Sequence, residues 1–301
     1  MNILILGGNG FIGRNLCNIL AKDNHNVYAF DLEKQPYPID NVQYIEGNFF
    51  NDNDIEMAVK NKDIVYHAIS TINPSNSNKK YMQGYTYDFL QSVKLCEYSL
   101  KYGFRLIFLS SGGTVYGKQT VMPIKEETLA IPFNHYGNLK LCIENTIRTF
   151  NMQFGTDILI ARIANPYGPG QDYSKGVGFI DAALKKALQD ETIEIWGDGS
   201  VVRDYIYIDD ACKMLAALMG YKGQTEVFNI SSNSGTSQNE IIQILHKIFP
   251  DIKVEYLPAR TVDVPQIILD NSRIMEIYTH NYLDIKSGIL KYYQYLTTFQ
   301  K

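Results

Sequence analysis

The amino-acid sequence predicts an α/β protein with a doubly wound parallel sheet and a smaller, discontinuous C-terminal domain of α+β type. Three observations support this. Short apolar runs alternate with helical patterns through the first half of the chain, a glycine-rich turn follows the first run, and 45% of the 301 residues are apolar. Such alternation is typical of a parallel sheet with helices on both faces, and the apolar content is enough for a substantial core.

The first half of the chain contains the predicted sheet. Strands are predicted at residues 2–6, 26–30, 42–46, 63–67, 105–110 and 157–163, and helices at 11–22, 52–60, 85–102 and 136–154. The run 106–109 is apolar at every position. Strands this short and this apolar suit a sheet that is buried on both faces.

The pattern changes after Asn165, where the sequence Pro-Tyr-Gly-Pro-Gly cannot continue a regular element. Further elements are predicted as helices at 177–190, 209–220, 237–249 and 284–298, strands at 193–196, 205–208, 227–230 and 253–257, and a loop at 258–271. We predict a nucleotide-binding domain of residues 1–165 plus about 201–249. The second domain is predicted at about 166–200 plus 250–301.

The glycine-rich turn predicts a dinucleotide site. It lies between the first strand and the first helix and consists of Gly7, Gly8, Asn9, Gly10, Phe11, Ile12 and Gly13. Its glycines allow a tight turn and a close approach of the backbone to a pyrophosphate, which the N-terminus of the helix then binds. A glycine trio alone is a weak signal, but the strand–turn–helix context makes a Rossmann fold the expectation.

Asp31 ends the second predicted strand, eighteen residues after Gly13. An acidic side chain there accepts hydrogen bonds from the adenosine ribose and repels a 2′-phosphate. This favours NAD over NADP, although Lys34 nearby leaves some tolerance of NADP open.

Tyr136 and Lys140 form the strongest catalytic signal. Residues four apart share one face of a helix. A nearby ammonium favours the phenolate, so we expect Lys140 to lower the pKa of Tyr136 from its usual value of about 10 toward neutrality. A tyrosine tuned in this way can remove a proton from a sugar hydroxyl while hydride leaves the same carbon. The lysine can also bind the nicotinamide ribose.

Composition excludes several classes of protein. The net charge is −4 without a long block of like charge, which argues against a nucleic-acid surface. The four cysteines are far apart and the five histidines lack metal-ligand spacing, so we expect reduced thiols, no metal and a cytoplasmic location. The first apolar run is too short for a signal peptide, and no run is long enough to span a membrane.

The motifs together resemble the extended short-chain dehydrogenase/reductase family, and within it the UDP-glucose 4-epimerase-like branch. The resemblance rests on the glycine turn, Ser-Ser-Gly-Gly-Thr-Val-Tyr-Gly at 110–117, Tyr136 with Lys140, Arg-Ile-Ala-Asn-Pro-Tyr-Gly-Pro at 162–169, Gly-Asp-Gly at 197–199 and Arg-Asp-Tyr at 203–205. It implies tightly bound NAD, a nucleotide-sugar substrate and a homodimer formed through the helices at 85–102 and 136–154. It leaves the sugar and the nucleotide base open.

The resemblance also implies binding roles for individual residues. Those expected to bind the cofactor, besides the glycine turn and Asp31, are Asn48 and Phe49 beside adenine and His67, Ala68 and Ser70 beneath the riboses. Those expected to bind the sugar nucleotide are Asn165, Arg203, Arg260 and Asp263. Guanidinium groups suit a diphosphate because they offer bidentate donors.

One position departs from the family pattern. Many relatives place a serine or threonine, the hydroxyl partner of the catalytic tyrosine, where this chain has Gly112. Thr114 is the first substitute that we expect, with Ser111 as the second. The alternative is that Thr114 only shapes the loop and that a water replaces the hydroxyl.

The same segment separates reaction types within the family. Related 4,6-dehydratases place acidic residues at the positions of Gly113 and Thr114, and decarboxylating relatives tend to carry Glu at the latter. This chain has neither acid. We therefore expect a UDP-hexose 4-epimerase, with N-acetylated or uronate sugars also possible, that forms a transient 4-keto sugar. The alternatives are a nucleotide-sugar reductase or dehydratase of the same family, and a protein that binds a dinucleotide without catalysis.

Overall fold

The computed structural model describes residues 1–259 and 264–299. Its centre is a seven-stranded, wholly parallel sheet. The strands of this sheet are β1 (Asn2–Leu6), β2 (Asn26–Asp31), β3 (Val42–Glu46), β4 (Ile64–His67), β5 (Arg105–Ser111), β6 (Ile158–Ile163) and β10 (Val227–Ile230). The predicted α/β class and Rossmann sheet are confirmed.

The strand order is β10-β6-β5-β4-β1-β2-β3. The chain starts in the middle of the sheet, builds one edge through β2 and β3, and then returns to place β4 on the other side of β1. Two crossovers in opposite directions leave a crevice at the carboxyl ends of β1 and β4. Both the glycine turn after β1 and the residues after His67 lie at that edge.

Helices cover both faces of the sheet. They are α1 (Phe11–Leu20), α2 (Asp52–Val59), α3 (Ser77–Gln83), α4 (Leu90–Tyr102), α5 (Gly112–Val115), α6 (His135–Phe154) and α8 (Ile208–Ala217). Asn134 starts α6 because its side chain accepts a hydrogen bond from the Gly137 N–H.

The helix predicted at 85–102 has a different form. A six-residue π-helix, Gly84–Phe89, joins α3 to α4, and α3 itself is kinked at Lys80, where the backbone is not helical. The hydroxyl of Ser92 donates to the carbonyl of Asp88 at 2.6 Å. This is the bond to the carbonyl four residues back that a serine side chain commonly makes within a helix.

A second group of elements packs around a core of its own. Its members are β7 (Asn165–Tyr167), α7 (Phe179–Leu188), β8 (Ile193–Trp196), β9 (Val202–Tyr207), β11 (Gly235–Ser237), α9 (Gln238–His246), β12 (Val254–Leu257) and α11 (Ile285–Phe299). The strand β13 (Gln266–Ile267) pairs with β9, but its Ile267 and Ile274 of α10 (Ser272–Met275) are buried in the core of the central sheet. The capping box predicted for α9, Ser237 with Glu240, is present.

The domain division stays a prediction. Ile241 and Leu245 of α9 pack with Ile180 of α7 and Ile289 of α11 in one buried cluster. We therefore propose to move α9 from the first predicted domain to the second. The loop predicted at 258–271 also differs in part, because β13 pairs with β9 and Leu269 forms a bridge with Ile124.

A buried ion pair joins the sheet to α6. Glu144 of α6 is fully buried and accepts hydrogen bonds from the guanidinium of Arg162 on β6, the closest at 2.6 Å. The hydroxyl of Ser110 on β5 donates to the same carboxylate. One buried carboxylate therefore joins β5, β6 and the helix that carries Tyr136 and Lys140.

Within residues 1–259 and 264–299, we find no helix with the length and apolar character that crossing a bilayer requires.

We predict that Glu144→Gln lowers the free energy of unfolding by about 3–5 kcal/mol, because it leaves the Arg162 cation buried without its counter-charge. Urea unfolding measures this. The matched control is Lys94→Gln, which breaks the ion pair with Asp52 between two half-exposed side chains and is expected to cost less than about 1 kcal/mol. Equal effects of the two substitutions would contradict the structural role of the buried pair.

Candidate functional site

The glycine turn has the geometry of an anion-binding loop. Gly7 has a φ of +87°, a backbone conformation that L side chains rarely adopt. A Cβ on Gly13 would overlap the carbonyl oxygen of Gly7, so the turn closes only with glycine there. Gly10 begins α1 without a side-chain cap, and the first N–H groups of the helix, at Phe11 and Ile12, therefore have no capping side chain.

Asp31 lies beside this turn at the end of β2. Its Oδ2 accepts a hydrogen bond from the Asn9 N–H at 2.9 Å, and its Oδ1 accepts one from the Leu32 N–H at 2.9 Å. The carboxylate is thus held at the edge of the crevice, where the sequence predicts the adenosine ribose. Lys34 is exposed.

His67 ends β4 and is buried as a neutral imidazole. Burial, together with the nearby charge of Lys140, lowers its pKa to about 3. Its Nε2 lies 2.9 Å from the Ser92 hydroxyl, whose proton goes to the carbonyl of Asp88. Nε2 is therefore the protonated nitrogen, and Nδ1 is a buried acceptor without a hydrogen-bond partner in the described residues.

The neighbouring predicted cofactor residues line the same edge. The ring of Phe49 packs on His67 with centroids 5.0 Å apart, and the exposed Asn48 accepts a hydrogen bond from the Phe50 N–H. The Ala68 N–H donates to the carbonyl of Leu6, which ties the segment after β4 to β1.

Sequence reasoning missed Asp88, which the structure brings to this site. The π-helix places its buried carboxylate under the segment after β4, where Oδ2 accepts from the Ser70 hydroxyl and from the Thr71 N–H, both at 2.8 Å. The only sequence signal is a single acidic residue inside an amphipathic pattern, and that signal usually indicates a solvated helix face.

Lys140 is buried on the inner face of α6. Its Nζ donates to the carbonyl of Leu109 at 3.0 Å and lies 5.6 Å from the centroid of the Tyr136 ring. Burial lowers its pKa to about 8, an effect that the carboxylates of Asp88 and Glu144 oppose. The ammonium therefore titrates close to physiological pH.

The expectation that the pKa of Tyr136 is lowered was wrong, because the pKa is raised in this structure. Burial raises the pKa of the phenol to about 12, and the carboxylate of Asp88 raises it further. Helical spacing does bring Tyr136 and Lys140 together. The spacing contains no information about desolvation, which is the largest cause of the raised pKa.

The surroundings of the short helix α5 explain why position 112 is a glycine. A Cβ on Gly112 would overlap Cδ1 of Leu269, so a side chain at that position must displace the end of Leu269. Thr114 is 7% exposed, and its hydroxyl has no hydrogen-bond partner among the described residues. Ser111 immediately precedes α5 and is partly buried. Of the two predicted substitutes, Thr114 is the buried hydroxyl that still needs a partner.

Asn165 faces this turn from β7. Its amide Nδ2 donates to the carbonyl of Asp204 at 2.8 Å, and its Oδ1 lies 3.5 Å from where a Cβ on Gly113 would be. Arg203 lies on β9 and donates to the carbonyl of Val264 at 2.8 Å. Arg260 and Asp263 lie outside the described residues.

A cavity of about 630 Å³ lies elsewhere, between α6, β10 and the segment 126–130. None of the predicted site residues lines it. Its three arginines, Arg148, Arg162 and Arg273, each pair with a glutamate, so we assign it no role in binding the dinucleotide. Within the described ranges, no group of histidine, cysteine and acidic residues is arranged to hold a metal ion.

Comparison with known proteins gives a consistent result. The model of the family described as "NAD dependent epimerase/dehydratase family" matches residues 3–231. The chain is 30% identical over 294 residues to a putative UDP-glucose 4-epimerase of Methanocaldococcus jannaschii, and the match covers 95% of each protein.

Two solved structures are similar over nearly the whole chain. A UDP-glucose 4-epimerase of Thermotoga maritima with UDP-glucose is 29% identical, has a TM-score of 0.93, and is matched over 100% of both chains. A UDP-glucuronic acid 4-epimerase of Bacillus cereus in complex with UDP-glucuronic acid and NAD is 26% identical, has a TM-score of 0.89, and is matched over 99% of both.

We predict that Gly112→Ser lowers the free energy of unfolding by about 1–3 kcal/mol, because the new side chain must displace Leu269. Adding Leu269→Ala makes room, so the double variant should be less destabilised than the sum of the two single ones. Urea unfolding measures all three. Gly113→Ser is the control, since a Cβ there makes only ordinary van der Waals contact. Strict additivity would rule out the proposed overlap.

Proposed function

Since the chain belongs to the NAD dependent epimerase/dehydratase family, we propose that it is an NAD-dependent UDP-hexose 4-epimerase. The sugar is proposed to be glucose/galactose or the N-acetylated or uronate equivalent. The observation that carries the proposal is the Tyr136–Lys140 pair beside a turn, Gly112–Val115, that contains no carboxylate. A dehydratase needs an acid and a base at that turn, whereas an epimerase needs one group that passes a single proton back and forth.

The crevice fits NAD. The loop closed by Gly7 and Gly13 suits a pyrophosphate, and Asp31 is held where it can accept hydrogen bonds from ribose hydroxyls. Several buried polar atoms around the crevice have no partner among the described residues, as expected of groups that meet a polar ligand. They are His67 Nδ1, Thr71 Oγ1, Asp88 Oδ1 and Thr114 Oγ1.

The remaining cofactor contacts are proposals of the same kind. Asn48 and Phe49 would lie beside adenine, and Ala68 and Ser70 beneath the riboses. When bound, NAD accepts hydride from C4 of the sugar and returns it to the opposite face. The residues of the chain bind and orient both molecules and move the proton of the C4 hydroxyl.

Tyr136 is proposed to move that proton. Its raised pKa keeps the phenol protonated at neutral pH, which suits the step that returns a proton to the C4 oxygen of the keto sugar. Taking the proton in the first step requires a nearby positive charge that stabilises the phenolate. Lys140 supplies this charge, because a group with a pKa of about 8 is mainly protonated at pH 7.

Thr114 is proposed to orient the C4 hydroxyl, with Ser111 or a water as the alternative. The buried, unpartnered Thr114 hydroxyl supports this role. Asn165 faces the same turn and is proposed to contact the sugar nucleotide. Arg203 is proposed as a ligand of the diphosphate, together with Arg260 and Asp263.

A homodimer is the proposed assembly. The helices α4 and α6 pack on each other and have large apolar side chains that are exposed in the monomer, including Leu90, Leu100, Met152 and Phe154. A second copy would cover such a face. Light scattering of the purified protein should then give twice the mass of the chain.

We also propose a cytoplasmic location, which the four free cysteines support.

We predict that the purified protein, without added cofactor, interconverts one C4-epimeric pair among UDP-glucose, UDP-galactose and their N-acetyl and uronate forms. Proton NMR should show the same equilibrium from either side. Tyr136→Phe should lower turnover by about 10²–10⁴-fold, because the proton carrier is lost. The control is Tyr293→Phe, which changes a tyrosine packed on Phe249 in the second core.

Four results would contradict the epimerase. Full turnover in Tyr136→Phe would remove the proposed proton carrier. A requirement for stoichiometric NAD(P)H would indicate a reductase, and an accumulating 4-keto product would indicate a dehydratase. No conversion of any sugar would favour a protein that binds a dinucleotide without catalysis.

We predict that Thr114→Val lowers kcat about 10–100-fold, because the isosteric change removes one hydrogen bond of about 1–3 kcal/mol to the reacting hydroxyl. Ser111→Ala is the comparison variant and should have a smaller effect. Steady-state kinetics of both variants measures this. The reverse order would assign the role to Ser111, and two unchanged values would favour a bound water.

A further inference from the structure

The segment between β7 and α7 contacts both walls of the cofactor crevice. It consists of residues 169–178 and is called the strap. On one side it lies on α1, where the carbonyl of Pro169 accepts a hydrogen bond from the side-chain amide of Asn15 at 2.8 Å. A Cβ on Gly170 would lie 3.8 Å from the ring of Phe11. Because Phe11 is the first residue of α1, this side of the strap lies beside the helix terminus that suits a pyrophosphate.

The other side of the strap rests on the segment that follows β4. The side-chain amide of Asn73 donates to the carbonyl of Lys175 at 3.2 Å, and the hydroxyl of Ser75 lies 3.2 Å from the same oxygen. The contact is close, since a Cβ on Gly176 would lie only 3.2 Å from the Cβ of Ser75. The same segment begins with the residues proposed to lie beneath the riboses. The strap therefore crosses from the pyrophosphate side of the crevice to the ribose side.

A buried ionic cluster holds the middle of the strap on α7. Asp181 is fully buried, and its Oδ2 accepts a hydrogen bond from the Tyr173 N–H at 2.8 Å. Its Oδ1 lies 2.8 Å from the ammonium of Lys185, which also donates to the carbonyl of Gln171 at 2.8 Å. The hydroxyl of Tyr292 on α11 donates to the same carboxylate. The strap is thus attached to the second group of elements through a buried charge.

The two attachments differ in strength. Hydrogen bonds to an ionised group in the protein interior are stronger than neutral bonds that compete with water. The bond between Asn73 and Lys175 is neutral and exposed, whereas the carboxylate of Asp181 is fully buried. The strap is therefore expected to separate first from the segment after β4, while it stays attached to α7.

We propose that the strap is a lid that keeps NAD in the crevice and opens at the contact of Lys175 with Asn73. The inference rests on the proposed function for its NAD site and deepens it, because an epimerase that returns hydride in every cycle has to keep its NAD. Closure of a short segment over a site commonly sets the rate at which a bound molecule leaves.

A reversible cross-link tests the lid directly. Ser75→Cys combined with Gly176→Cys joins the strap to the crevice wall, since the two Cβ positions lie 3.2 Å apart. A disulfide holds its Cβ atoms about 3.5–4.5 Å apart, so a small shift suffices. Exchange of bound NAD for radiolabelled NAD is measured on the oxidised protein with and without dithiothreitol. We expect the disulfide to slow exchange at least about tenfold. Equal rates with and without dithiothreitol would overturn the proposal.

The single variants Ser75→Cys and Gly176→Cys are the controls. Neither can form the cross-link, so oxidation should leave their exchange rates unchanged. An equal slowing in an oxidised single variant would show that the cross-link is not the cause and would also overturn the proposal.

A matched pair of asparagines tests the contact without a new covalent bond. Asn73→Asp keeps the oxygen that accepts from the Ser75 and Asn76 N–H groups but removes the donor to Lys175. We expect NAD exchange to become about 2–10-fold faster, which corresponds to the loss of one hydrogen bond. Asn76→Asp is the control, since it adds the same charge to the same turn and keeps the oxygen that accepts from the Asn73 N–H. Equal acceleration in both variants would indicate repulsion of NAD by charge and would overturn the proposal.

Trypsin cleavage after Lys175 provides a second readout. The carbonyl of that peptide bond is the acceptor for Asn73, so the strap has to open before the protease can cleave there. Asn73→Asp should speed this cleavage by about the same factor as NAD exchange and leave cleavage after the exposed Lys222 unchanged. Faster NAD exchange with unchanged cleavage after Lys175 would indicate a direct contact between Asn73 and NAD and would overturn the lid.

The lid and the epimerase can fail separately, because none of these measurements needs a sugar. Absence of epimerisation together with slowed exchange in the cross-linked protein would refute the proposed function and leave the lid standing. Epimerisation together with equal exchange rates in the oxidised and reduced protein would refute the lid and leave the proposed function standing.

Discussion

The buried carboxylate of Glu144 is the constraint on which the site depends. It binds the guanidinium of Arg162 on β6 and the hydroxyl of Ser110 on β5, so α6 can take only one position against the sheet. Tyr136 and Lys140 lie on that helix, and the turn with Thr114 continues directly from β5. Breaking one partner of such a pair leaves an uncompensated charge inside the protein, which makes the geometry strongly determined.

Burial also sets the chemistry of the site. It makes His67 neutral, lowers the pKa of Lys140 to about 8 and raises that of Tyr136 to about 12. A nearby ammonium alone would favour the phenolate, but desolvation and the carboxylate of Asp88 act in the opposite direction. The phenol of Tyr136 therefore keeps its proton at neutral pH.

The C-terminal part of the chain takes part in the site through Leu269, which is buried in the core of the central sheet. Its N–H donates to the buried carboxylate of Asp204, its carbonyl accepts from Ser231, and it forms a bridge with Ile124. Held in this way, it occupies the space into which a side chain on Gly112 would extend. The glycine that departs from the family pattern is thus explained by a residue more than a hundred positions later in the chain.

The sequence by itself determined the alternation of strands and helices, the glycine turn after β1, the capping box of α9, and the placement of Tyr136 and Lys140 on one helix face. These features depend on backbone conformation and on short-range periodicity, which neighbouring residues specify. Only the tertiary structure decided the widened turn that buries Asp88 against Ser70 and Thr71, the overlap of Leu269 with Gly112, and the direction of the Tyr136 pKa shift. Each of these depends on which distant residues meet in the interior and on how completely they exclude water, and residue spacing specifies neither.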